Sequence, residues 1–115
     1  MSNTCRCPTP PGGRVSCRSD QLAVCGYRDG QFISGCFDRP DQIAFIPKDV
    51  RRLAIANWVL TVLTGASREA HQSIDQEQIN MLEAGQYSTP DSLLRFSLPR
   101  DLQFASDVEP LESMA

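Results

Sequence analysis

Hydrophobic and polar positions follow two rhythms along this chain. In the first third the apolar runs are short and punctuated. Gln21–Tyr27 and Gln31–Phe37 flank Arg28-Asp29-Gly30. Asp-Gly between two such runs predicts a tight hairpin, because Gly accepts positive φ without a steric penalty. An earlier strand around Arg14–Arg18 is expected to join through Ser19-Asp20. Residues 1–13 carry Pro8, Pro10, Pro11, Gly12 and Gly13, which predicts irregular chain. Asp38-Arg39-Pro40-Asp41 reads as a linker.

Beyond the linker the rhythm turns helical. Pro47 suits a first helical position, where its missing N–H is not needed, and Asp49 complements the positive end of the helix dipole. With Gly65 as a stop, the spacing predicts a helix over Pro47–Thr64. At about 100° per residue, Asn57, Thr61 and Thr64 form a narrow polar stripe. Ile55, Trp58, Val59, Leu60, Val62 and Leu63 fill most of the remaining circumference. A second helix is expected within Ser67–Ala84, with Ser73 or Asp75 able to cap an internal start and Gly85 as the stop. Thr89-Pro90-Asp91 predicts a third, short helix over Ser92–Leu98, limited by Pro99.

The expected fold is therefore α+β. A small Cys-rich β-hairpin module of two or three short antiparallel strands is followed by two or three α-helices. The expected divisions are 1–41 for the β module, 42–105 for a helical segment packed on it, and 106–115 for a flexible acidic tail.

Composition narrows the function classes. The chain has 115 residues, enough for one core and too few for two. Net charge is −3, and the last 29 residues, with five acids and two bases, carry −3 by themselves. That balance argues against nucleic acid and anionic lipid as partners. No apolar run approaches the roughly 20 residues a membrane helix needs. The start, Met-Ser-Asn-Thr-Cys-Arg-Cys-Pro, lacks the apolar stretch of a secretory signal, which points to the cytoplasm. A trimmed secreted product would read the same way.

All five cysteines fall early, at Cys5, Cys7, Cys17, Cys25 and Cys36. So short a segment has too little apolar surface to hold itself together, and metals or cross-links commonly supply what is missing. With Asp29-Gly30 as a two-residue turn, Cys25 faces Ser34 and shares a sheet face with Cys36. These two are diagonal neighbours, about 7 Å apart at the β-carbons. That is too far for an unstrained disulfide, whose β-carbons lie about 4 Å apart. It suits two thiolates reaching one zinc ion at about 2.3 Å each. Cys5 and Cys7 folding over would complete a tetrahedral site with Cys25 and Cys36, and Cys17 is a substitute ligand. A continuous sheet through a Ser19-Asp20 turn would place Cys17 opposite Leu22, on the other face. Two disulfides with one spare thiol are the competing reading, and ordinary core thiols the third.

No phosphate loop, dinucleotide fingerprint, G-x-S-x-G or H-E-x-x-H occurs. The single histidine, His71, excludes any site that needs two. A noncatalytic accessory or adaptor protein follows as the leading expectation, with structural zinc and a helical interaction surface. Trp58, Val59, Val62 and Leu63 would form that surface, toward another protein or in a homodimer, if the remaining apolar side chains do not cover them. A central core helix is the simpler reading of the same residues. The alternatives are a secreted disulfide-stabilised binding module and a thiol-dependent enzyme using Cys7 or Cys17.

Overall fold

The architecture comes from a computed structural model, which describes residues 2–6, 14–38, 43, 45–66, 74–102 and 104. The chain order is β1 (Ser2–Arg6), β2 (Arg14–Arg18), β3 (Gln21–Arg28), β4 (Gln31–Asp38), α1 (Lys48–Thr64), α2 (Gln76–Glu83), β5 (Gln86–Thr89) and β6 (Ser92–Ser97). The elements form three layers. A four-stranded antiparallel sheet in the order β4-β3-β6-β5 lies in the middle, and the two-stranded β1-β2 sheet covers one face. The helices cover the other.

Alternation along β3 divides the two faces. Leu22 and Val24 join Leu94 and Phe96 of β6 against Ile55, Trp58, Val59, Leu60 and Leu63 of α1 and Ile79 and Leu82 of α2. Ala23 and Cys25 point the other way, into a small cluster with Cys5 and Cys17. A strand buried on both faces carries no polar alternation, which is why β3 reads as an almost unbroken apolar run.

The β3–β4 hairpin has the expected register. Arg28 pairs with Gln31, Tyr27 with Phe32 and Cys25 with Ser34. Asp29 and Gly30 both adopt positive φ, 53° and 81°, as a two-residue turn matched to strand twist requires. Helix α1 also lies where the pattern puts it. Pro47 sits just outside, in extended conformation, and Gly65 ends the helix in the left-handed region at φ 73°, its N–H donating to the Thr61 carbonyl. Asp75 caps α2 through a reciprocal capping box with Gln78.

The expected architecture of a hairpin module followed by two or three helices does not hold. Strands outnumber helices six to two among the described residues. Ser92–Ser97, expected to be a third helix, is strand β6, inserted between β3 and β5. The reason lies in Pro90. A proline φ near −65° suits the first helical position and the leading corner of a tight turn equally well. Here Thr89 pairs with Ser92 across Pro90-Asp91, and the Thr89 hydroxyl accepts from the Asp91 N–H at 3.3 Å. Leu94 and Phe96 then face the core while Leu93 and Arg95 face away, a period of two. The start of the chain departs as well. Ser2–Arg6, expected to be irregular, is a strand paired with β2 from Ser2↔Arg18 to Arg6↔Arg14. The central sheet thus draws strands from both sides of residue 41.

Gly26 makes that insertion possible. It sits at φ 143°, opposite Leu94, and a β-carbon there would lie 2.3 Å from the Leu93 carbonyl oxygen and 2.8 Å from the Leu94 α-carbon. Only a residue without a side chain lets β6 approach so closely. No helix among the described residues is long and apolar enough to cross a membrane.

Candidate functional site

The chemistry-bearing groups meet between the β1-β2 sheet and the central sheet. In β1, Asn3 and Cys5 are the two inward residues; in β2, Val15 and Cys17 are. Opposite strands place Asn3 beside Cys17 and Cys5 beside Val15. This face lies on Ala23 and Cys25 of β3. Small side chains on both sides allow the two layers to come close.

Sulfur chemistry and one amide hold the layers together. Cys17 and Cys36 are joined as a disulfide, with α-carbons 5.6 Å apart. That spacing is within the ordinary range for a cystine. The bridge ties β2 to the outer strand of the central sheet and closes a segment with a sequence separation of 19. Cys5 and Cys25, both buried, bring their Sγ atoms to 2.9 Å. At the other end of β1, the buried Asn3 amide donates to the Gln21 and Ser97 carbonyls and accepts from the Ser97 hydroxyl at 2.5 Å. One side chain thus fastens β1 to β3 and β6 together, satisfying polar groups that the layer would otherwise bury unpaired. Outside the cluster, Arg18 binds both Asp20, at 3.0 Å, and Asp38, at 3.1 Å. The hydrogen bond and charge of Asp20, aided by Asp38, raise its pKa further above the usual arginine value.

Of the sulfurs expected to ligate zinc, Cys5 and Cys25 are in contact, Cys36 is bonded to Cys17, and Cys7 lies outside the described residues. Among the described residues no three His, Cys, Asp or Glu side chains are grouped to hold a metal ion. His71 also lies outside the described residues. Cys17 departs from the face the sequence suggested because β2 ladders with β1, not with β3. The Ser19-Asp20 turn folds β2 across the sheet and so brings Cys17 over Cys36.

The helix residues expected at an interaction surface lie largely inside the protein. Val59 and Leu63 are fully buried, Trp58 is 9% exposed, and Val62 packs on the rim of the core. The exposed apolar positions of α1 are Val50 and Leu53 instead, with Phe45 just before the helix. Two further residues went unsingled in the sequence, Asn3 and Arg28. Asn3 carries no pattern signal, since its value depends on strands that only the fold brings together. No protein-family model, curated protein or solved structure matches the chain.

Proposed function

We propose that the protein is a noncatalytic interaction module braced by two cystines, Cys17–Cys36 and Cys5–Cys25, and that it works in an oxidising compartment. The carrying observation is the pairing of the sulfurs, one pair bonded and the other at 2.9 Å across the same interface. Thiol–disulfide exchange with a disulfide oxidant would close the second bridge. Cys5 and Cys25 each lose a proton, their two electrons reduce the oxidant's disulfide to two thiols, and the Sγ–Sγ bond forms. Cys7 is the spare thiol. A cystine persists in secreted or surface-exposed compartments and is reduced in the cytosol, so the reading departs from the cytoplasmic expectation. The noncatalytic part rests on the burial of Cys5, Cys17 and Cys25 and on the bonding of Cys36. Cys17 is bonded and buried, and Cys25 is fully enclosed, so neither is offered to a substrate as a thiolate.

Mass spectrometry of protein made in an oxidising compartment and alkylated while unfolded tests this. The expected result is a loss of four hydrogens, reversed by reductant, with peptides linked 17–36 and 5–25. Zinc on Cys5, Cys7, Cys25 and Cys36 is the competing proposal. One zinc per chain by elemental analysis, with every cysteine alkylated without prior reduction, overturns the cystine reading.

A further inference from the structure

Among the described residues, strand β4 has one edge unpaired. It pairs with β3 only, and no described strand lies on its other side. Hydrogen bonding alternates along an antiparallel ladder. Since Arg28↔Gln31 flanks a two-residue turn, Gln31, Ile33, Gly35 and Phe37 direct their backbone groups to β3. Phe32, Ser34 and Cys36 therefore direct theirs outward. Natural edges are commonly blunted by charge, proline or brevity. This edge is long and contains no proline: β4 spans eight residues, and its one charge, Asp38, stands at the far end and is bound by Arg18, which leaves Gln31–Phe37 uncharged. The opposite edge, β5, has only four.

A groove of about 390 Å³ runs beneath the open edge, between β4 and the last turns of α1. Its walls are Val24, Ile33 and Phe37 on the sheet side and Thr61 and Val62 on the helix side. Arg28 spans the groove at the turn end of β4. Its guanidinium donates through one nitrogen to the Leu63 carbonyl at 3.0 Å and the Val62 carbonyl at 3.5 Å. No acidic side chain among the described residues pairs with it. A cation with no carboxylate partner among the described residues therefore closes one end of an apolar groove that runs along a strand edge unpaired by any described strand.

We propose that this edge binds the C-terminal segment of a partner protein as an added antiparallel strand. The backbone of the segment would bond to Phe32, Ser34 and Cys36. An apolar side chain near its end would enter the groove between Ile33, Phe37 and Val62, and its terminal carboxylate would bind Arg28. The direction follows from the position of the cation. A strand antiparallel to β4 ends beside Gln31, the residue that pairs with Arg28. Backbone bonding supplies affinity in such strand addition, and the side-chain groove supplies selectivity. The proposal deepens the interaction-module reading and names the partner class.

The test uses the full oxidised chain, with the Cys17–Cys36 bridge first verified by mass spectrometry. A library of random hexapeptides with free C-termini is selected for binding, and the best peptide is measured by fluorescence anisotropy. The expected result is an enriched apolar residue within the last two positions. Amidating the C-terminus and substituting Arg28→Gln should each weaken binding by about 10-fold or more, the scale of a lost charge-assisted hydrogen bond. Ser34→Pro removes an outward N–H that the β3 ladder does not use, and should abolish binding while leaving the melting temperature within a few degrees. Rescue of binding by Arg28→Lys, with the Arg28→Gln protein still folded, separates carboxylate recognition from a purely structural role. Three results overturn the proposal: no enrichment from the library, equal affinity for amidated peptides, or undiminished binding by Ser34→Pro. Concentration-dependent dimerisation abolished by Ser34→Pro, without peptide enrichment, would assign the edge to a second copy and also overturn it. If the bridge is intact and binding fails, only the peptide site falls, and the cystine reading stands.

Discussion

Replacing both Cys17 and Cys36 by alanine isolates what the bridge contributes. The cross-link acts chiefly on the unfolded chain, where it forbids conformations that separate residues 17 and 36. With a sequence separation of 19 between them, the chain-entropy relation assigns about 11 cal/mol/K to closing the segment, or about 3 kcal/mol at 25 °C. The loss of a buried sulfur at Cys17 adds to this in the same direction. A deficit of about 3 kcal/mol is a large fraction of the roughly 5–15 kcal/mol that holds a domain of this size. It corresponds to a fall of roughly 12–24 °C in melting temperature. Urea unfolding followed by Trp58 fluorescence measures it directly. The midpoint should fall, and the slope should not decrease, because the unfolded variant is less confined than the cross-linked chain. Adding reductant to the variant with Cys7 also replaced by alanine then reports on Cys5 and Cys25 alone, since no other cysteine remains. A further loss of stability indicates the second cystine; no change indicates two thiols. The entropic argument is refuted if the double variant loses less than about 1 kcal/mol under oxidising conditions while the parent is shown to carry the bridge.

Four other substitutions probe the packing. Gly26→Ala forces a β-carbon into the Leu93 carbonyl and sets a side chain at φ 143°; we expect a loss above about 3 kcal/mol or failure to fold, read by circular dichroism and chemical denaturation. Asn3→Ala strands the Gln21 and Ser97 carbonyls and the Ser97 hydroxyl and should cost about 1–3 kcal/mol, with faster hydrogen exchange in β1 and β2 than in α1. Leu63→Ala should cost about 2–5 kcal/mol and Leu53→Ala less than about 0.5, because Leu63 is fully buried and Leu53 is 57% exposed. Equal losses for this last pair would mean that the exposed face of α1 is covered in solution.

What could be read from the amino-acid order was local. The β3–β4 register follows from Asp29-Gly30, whose positive φ values leave only one pairing. The span of α1 follows from Pro47 and Gly65, and Asp75 is one of the two caps, with Ser73, that the sequence offers for the start of α2. These are interactions within a few residues, where side-chain chemistry acts directly on its own backbone. The tertiary structure decided whatever depends on distant partners. Pro90 is compatible with a helix start or a turn, and burial of Leu94 and Phe96 beside β3 selects the turn. Ser2–Arg6 becomes a strand because Asn3 and Cys5 find carbonyls and a thiol on a sheet that folds beneath them. Cys17 meets Cys36 only because β2 leaves the plane of β3 and crosses its face. Pairing across layers is set by which surfaces can be buried together, and that free energy belongs to the assembled core, not to any window of the chain.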